Sequence, residues 1–372
     1  MLLLDYTPKS WGSREEFHKR LAVKLIERGN VAVLVLANPA PPHVEQQYQS
    51  VGIRLVYFNY TKLGKAGFLR LLKDLLRDLD IRMVHIRYFD YFSLLPWMLR
   101  LNGIRFIFFT EANSGVVRSR GVKLSLLRLR TAFVTQPLSR LIAISDYIRR
   151  RLITVGVPSD KAVIVFNGVD DSELIPNEAI RNAVRGRYSI SAEEFVIFWM
   201  AELRPMKRLD VALRAVDLLR QKGIPVRFLV AGEGVLRKEM ETLAEELGIA
   251  DRVVWMGFCQ KPADVIPAGD VFLLPSEGEA FGFVITEAMC CGLPVVGAKT
   301  GAIPELITDG ETGFLAEPGN PEAFASALES LARDPALRQR MGSTARQRAV
   351  ERFSLDVSVE NTLRVYDSVS HA

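Results

Sequence analysis

The amino-acid sequence predicts an α/β protein built of two doubly wound domains with mainly parallel sheets. Three observations carry this. The chain has 372 residues, more than one hydrophobic core of roughly 250–300 residues accommodates, so two domains are expected. Short apolar runs alternate with amphipathic stretches of helix length, which is the order of successive βαβ units. The alternation is interrupted once, by the polar segment DDSELIPNEAIRNAVRGRYSISAEE near 170–194, and then resumes.

In the first half the apolar runs are MLLLDY (1–6), VAVLVLA (31–37), IRLVYF (53–58), MVHIRY (83–88), RFIFFT (105–110), RLIAIS (140–145) and KAVIVFNG (161–168). Between the first two lies REEFHKRLAVKLIERG (14–29), in which Phe17, Leu21, Val23, Leu25 and Ile26 fall mostly on one helix face and Gly29 ends the helix. The second half repeats the pattern with EFVIFWMA (194–201), VRFLVAGE (226–233), RVVWMGF (252–258), DVFLLPS (270–276) and LPVVGA (293–298). The segment 170–194 reads as a linker. The expected domains are 1–172 and 173–354, facing a cleft, with a terminal helix over 355–372 packing back on the first.

Composition excludes several classes. No run reaches the roughly 18 apolar residues of a membrane span. The opening MLLLDYTPKS has no basic region and meets Asp5 at once, which argues against secretion. The three cysteines are Cys259, Cys290 and Cys291, too few and too poorly spaced for a disulfide framework, and a cytoplasmic protein is expected. Charge is uneven. Residues 1–180 hold 26 Lys and Arg against 16 Asp and Glu, and the remainder 22 against 27, so the first half is expected to meet something anionic.

The chemistry concentrates in residues 270–296. A buried strand, DVFLLPS, ends in the loop EGEAFG. A helix begins near Phe283, runs through VITEAMCC and stops at Gly292, with Pro294 beyond. Such a helix start offers free N–H groups and a positive dipole end to a phosphate, and Gly282 keeps the approach open. Glu279 stands near the helix mouth and Glu287 about a turn below it. Carboxylates there can accept from ribose or sugar hydroxyls or stabilise a cationic transition state. Two glutamates at this spacing are common, and alone they are better read as a solvated loop residue and a helix charge.

The surroundings make the pattern specific. The order strand–LPS–loop–EAFG–helix–EAMCCGLPVV, followed by GAIPELITDGETGFLAEPGNPEAFASAL (301–328), resembles the retaining glycosyltransferases of family four, which have the GT-B fold. ISDYIRR (144–150), VFNGVD (165–170), KRLDVALRA (207–215), VAGEGVLRKEMETLAEELGI (230–249) and RVVWMGF (252–258) agree in order. The likeness is strong over residues 140–330 and weak before. It implies transfer of a sugar, with retention, from a nucleoside-diphosphate sugar to a glycan or lipid-linked acceptor in surface polysaccharide or glycolipid synthesis. No cofactor is expected, and no metal if a lysine, nearby arginines and a helix N-terminus carry the diphosphate charge. Glu279 matches the family glutamate close to the donor sugar, Phe281, Gly282 and Phe283 the loop and helix start facing sugar or phosphate, and Glu287 the glutamate associated with ribose. Lys207 matches the lysine that neutralises the diphosphate, whose negative charge grows as the bond breaks.

The sequence departs from the family at three places. Glu202 stands where an arginine usually binds the diphosphate, so the second positive charge falls to Arg204 or Arg208. After the fifth strand, FFTEANSG places Glu111, Ala112 and Asn113 where a histidine is usual, and Glu111 or Asn113 becomes the candidate acceptor-side group. Gly12, between the first strand and helix, lacks the paired glycine of the family's phosphate loop. His18 on the following helix reads as structural or surface.

Residues 113–144 contain no acidic side chain. RSRGVKLSLLRLR (118–130) and KLGKAGFLRLLKDLLR (62–77) are basic and amphipathic, and either could lie on an anionic membrane surface or be the solvated face of a core-packed helix. No nucleic-acid reader motif accompanies them. A nicotinamide enzyme would need G-x-G-x-x-G, and the best match, Gly232 and Gly234, has Arg237 in the third position. A non-catalytic protein that binds sugar nucleotides is the better rival.

Overall fold

The computed structural model describes residues 1–4, 6–58, 60–88, 93–112 and 121–370. The chain forms two compact units, Met1–Gly168 with Leu355–Ala372, and Val169–Ser354. The division falls a few residues ahead of 172, and the terminal helix Leu355–Ser370 belongs to the first unit.

Among the described residues the first unit holds β1 (Leu2–Leu4), β2 (Val33–Leu36), β3 (Arg54–Tyr57), β4 (Met83–Arg87), β5 (Phe106–Glu111), β6 (Arg140–Ala143) and β7 (Ala162–Ile164). They form one parallel sheet in the order β3-β2-β1-β4-β5-β6-β7. The second unit holds β8 (Phe195–Met200), β9 (Val226–Ala231), β10 (Val253–Gly257), β11 (Val271–Leu274), β12 (Val295–Ala298) and β13 (Gly313–Ala316), parallel in the order β10-β9-β8-β11-β12-β13. Central strands of a sheet covered on both faces must be apolar throughout. Every residue of β8, β11 and β12 is buried, whereas the edge strands β3 and β10 are mostly half-exposed. Strand β13 is absent from the sequence reading. Its four residues, GFLA, are half-exposed at their centre and form the edge of the sheet beside β12.

The segment read as a linker is part of the second unit. It carries the helix Glu178–Arg187, which has no buried residue. Polar groups dock it instead. Arg181 and Arg185 reach opposite oxygens of Asp270 at 2.6 and 2.9 Å and donate to the Gly269 and Ala268 carbonyls at 2.7 and 3.0 Å. The Val196 N–H adds a third contact to Asp270 at 2.7 Å. Burial opposes ionisation of Asp270, but Arg185, Arg181 and that N–H together hold its pKa below the ordinary carboxylate range.

The terminal helix sets Leu355, Val359, Leu363 and Tyr366 in one stripe. They share a core with Phe17, Leu21 and Phe108. His85 on β4 lies at its edge, 2.5 Å from the Tyr366 hydroxyl and 2.6 Å from that of Thr110. His18 is fully buried on helix Ser13–Glu27 with neither ring nitrogen hydrogen-bonded, so of the two readings offered for it the structural one holds.

Candidate active site

In doubly wound sheets ligands bind beyond the carboxyl ends of the strands, where the connections diverge to opposite sides. In the second unit that point lies between β8, which leads to β9, and β11, which leads to β12. The loops leaving these two strands carry Lys207 and Glu279.

Lys207 closes a 3-10 turn, Pro205–Lys207. Its ammonium donates to Oε1 of Glu279. The Ser276 hydroxyl lies 2.8 Å from the same oxygen and 3.1 Å from the Met206 carbonyl, and the Glu277 N–H donates to that carbonyl at 2.8 Å. The two loops are thus sewn together beneath the ion pair. Glu279 is 9% exposed. Arg208 follows at φ +49°, a left-handed conformation that costs a non-glycine residue about 1–2 kcal/mol. Its guanidinium is held by both Asp210 oxygens at 3.1 Å and by Glu277. Arg204 is more than half exposed and pairs with Glu202 at 2.6 Å, so the residue in the usual arginine position occupies one of the local cations.

Gly282 precedes the helix Phe283–Cys290 at φ +109°, and no side chain caps that helix. A Cβ at Gly282 would stand 3.3 Å from both Ile285 and Leu306. Phe281 is 2% exposed and meets Phe283 and Phe353 edge-on, at 5.3 and 6.0 Å. Its side chain therefore belongs to the core. Glu287 lies one turn into the helix, partly buried, and its carboxylate has no hydrogen-bonding partner among the described residues. Burial pushes its pKa up to about 7. Hydroxyl donors from a bound sugar or ribose would favour its charged form. Cys290 and Cys291 are buried, and burial pushes both thiols up to about 12.

Two positioning residues escaped the sequence reading. Ser276 is the serine of the LPS run, read there only as the end of a strand. Gly301, at φ +60°, packs so closely that a Cβ would fall 2.7 Å from the Glu279 carbonyl oxygen and 2.8 Å from its nitrogen. The next residue, Ala302, donates its N–H to that carbonyl at 2.9 Å. Any larger residue at 301 would push the Glu279 backbone aside.

The remaining candidates lie in the first unit. Gly12 precedes helix Ser13–Glu27 in extended backbone, φ −160°. Glu111 ends β5 and is buried. Asn113 lies outside the described residues.

Two doubly wound units, one with a lysine–glutamate pair and a helix without a side-chain cap at its switch point, define a two-unit parallel α/β class of protein. Residues 181–348 match the family described as Glycosyl transferases group 1, and residues 15–173 match Glycosyltransferase Family 4. Together these matches run through both units, and the chain belongs to this glycosyltransferase family. It is 30% identical over 212 residues to N-acetyl-alpha-D-glucosaminyl L-malate synthase of Bacillus anthracis, covering 57% of this chain and 55% of that protein. It is 34% identical over 223 residues to D-inositol 3-phosphate glycosyltransferase of Streptomyces avermitilis, covering 57% and 48%. The chain spans about half the length of the curated relatives it matches. Among solved structures, Anabaena HepE in complex with UDP superposes with a TM-score of 0.83 at 21% identity over 99% of both chains. Sucrose-phosphate synthase from Thermosynechococcus elongatus gives 0.78 at 19% identity over 100% of this chain and 98% of that one. The fold is GT-B.

Proposed function

We propose that this protein transfers a sugar, with retention, from a nucleoside-diphosphate sugar to a glycan or lipid-linked acceptor in surface polysaccharide or glycolipid synthesis. The observation that carries the reading is the Lys207–Glu279 pair at the switch point of the second unit. A diphosphate placed at the start of helix Phe283–Cys290 would draw Lys207 from Glu279, freeing the carboxylate to face the sugar as its anomeric carbon becomes cationic. HepE was solved with UDP and with UDP-glucose, which supports a uridine donor as the first to try. In this reading Lys207, the helix start and the neighbouring arginines carry the diphosphate charge, and no metal is required.

The test is release of nucleoside diphosphate by the purified protein from UDP-, GDP- and ADP-sugars. Turnover of at least one donor is expected. A donor that binds but is never turned over, whatever acceptor is offered, would favour the non-catalytic reading. Absence of binding across the panel would remove both.

The reading also places the acceptor at an anionic lipid surface. No helix of the described residues is long and apolar enough to cross a membrane. The two basic stretches differ in what they leave exposed. In helix Tyr60–Asp78 the residues Phe68, Leu72, Leu75 and Leu76 are buried in the unit's own core. In helix Val122–Thr135, by contrast, Leu126, Leu129 and Phe133 are 62, 70 and 57% exposed. Trp97 stacks on Phe133 with ring centroids 5.1 Å apart, and Lys123 and Arg130 are exposed on the same helix. Apolar residues that can enter a bilayer beside cations that attract its headgroups are the pattern of an interfacial helix. The protein is expected to sediment with phosphatidylglycerol vesicles and to be released by salt, and Leu129→Glu is expected to weaken this about tenfold. Equal binding to neutral vesicles, or none, would remove the membrane from the proposal.

A further inference from the structure

The first unit has a switch point of its own, between β1, which leads to β2, and β4, which leads to β5 on the other side. At the carboxyl end of β4 stands Arg87, in register with Leu4 and Thr110. It is 6% exposed, and its Nε is buried without a hydrogen-bond partner. Among the described residues its guanidinium makes no ion pair. What it touches is aromatic: the guanidinium carbon lies 4.8 Å from the Phe17 ring centroid and 5.7 Å from that of Tyr88. Burying a cation without an ion-pair partner is costly, and ring faces offset only part of that cost.

Among the described residues its surroundings supply no ion-pair partner. His18 and His85 are buried beside it; burial first, then the charge of Arg87, keeps both neutral. The Glu15 carboxylate is buried and accepts from the Tyr6 hydroxyl at 2.9 Å. A second cation lies close by instead. Arg14, in the first turn of helix Ser13–Glu27, lies 5.3 Å from the Tyr6 ring and 5.4 Å from that of Tyr88. Tyr88, which both guanidinium groups approach, is held at φ +65°, a strained conformation of the kind that gathers at ligand sites.

We propose that Arg87 and Arg14 form an anion-binding subsite in the first unit, and that it takes a phosphate or carboxylate group of the acceptor. The word acceptor rests on the glycosyltransferase reading; the anion site does not. A planar guanidinium fork whose Nε has no partner among the described residues matches either group through two parallel hydrogen bonds. The ligand ends the isolation of Arg87 and relieves its repulsion with Arg14.

Inorganic phosphate is the first probe and acetate the second, followed by calorimetry and thermal unfolding of the full chain. Phosphate, acetate or both are expected to bind the wild type and raise its Tm. Arg87→Met is expected to weaken that binding at least about tenfold, to leave UDP binding unchanged, and to unfold no earlier than the wild type in anion-free buffer, because it removes an unpaired buried charge. Arg14→Met changes an exposed residue, so it tests the site even if Arg87→Met fails to fold; it is expected to weaken the anion several-fold with Tm unchanged. Failure of both anions to bind the wild type overturns the proposal, as does unaltered binding in both variants. Displacement of the anion by UDP also overturns it, since the charge held would then be the donor's. Loss of nucleotide-sugar binding with the anion site intact would instead count against the glycosyltransferase reading.

Discussion

Lys207→Ala is expected to lower sugar transfer by about 10²–10³-fold, the usual effect of removing one preorganised charge from a site where charge develops. The ammonium is in place before any donor arrives, because Glu279 and the Ser276–Met206 contacts fix both loops around it. The same pairing gives the substitution a second effect. Without the lysine, the Glu279 carboxylate, 9% exposed, keeps the Ser276 hydroxyl as its one side-chain donor among the described residues, and an uncompensated buried charge costs about 3 kcal/mol or more. The two effects separate in the double variant Lys207→Ala with Glu279→Gln. Urea unfolding should recover toward wild type, since a neutral amide tolerates the site, while nucleoside diphosphate release stays low. Near-wild-type release in Lys207→Ala would sink the assignment of this pair, whatever the stability data showed.

The first unit is expected to lose stability as pH falls below 6.5, by about 1.4 kcal/mol per pH unit for each of His18 and His85. Both are buried, and burial first and the nearby Arg87 second push their pKa values well below 6.5. The sign follows from proton counts. Between the depressed folded value and 6.5 the unfolded chain binds protons that the folded chain refuses, so acid favours unfolding; above 6.5 both states are neutral and the dependence vanishes. Two such histidines make the slope about twice that of one, large against a total stability of about 5–15 kcal/mol. His18 has no hydrogen bond to lose, so His18→Leu should roughly halve the slope and raise stability at the acid end. His85 is different, because Tyr366 on the terminal helix and Thr110 both contact its ring. An unchanged slope in His18→Leu, measured by urea unfolding between pH 7.5 and about 5.5, would mean that other groups carry the acid sensitivity.

Much of the second unit could be read before the structure was known. Its central strands are continuous apolar runs because helices cover both faces of the sheet, and the loop from Ser276 to Gly282 stands out because it interrupts one of these runs directly before a helix. The elements that were missed lack such a signal. Strand β13 is a four-residue edge. Helix Glu178–Arg187 buries no side chain and owes its place to Asp270, more than eighty residues away in sequence. An apolar stripe announces a helix locally, whereas an ion pair announces nothing until both ends are in place.

By itself, then, the sequence determined the α/β class, the position along the chain of nearly all strands, the terminal helix and the identity of Lys207, Glu279, Gly282 and Glu287 as candidates, since each follows from local periodicity or from an ordered run of motifs. Only the tertiary structure decided that Lys207 meets Glu279, that Gly301 leaves room for the Glu279 backbone, that Arg208 is held by Asp210 and Glu277, and that Arg87 is buried without an ion-pair partner among the described residues. Those facts depend on which side chains are brought within a few ångströms across long stretches of chain. Burial and pairing are properties of the packed neighbourhood, and a residue's own position in the sequence does not contain them.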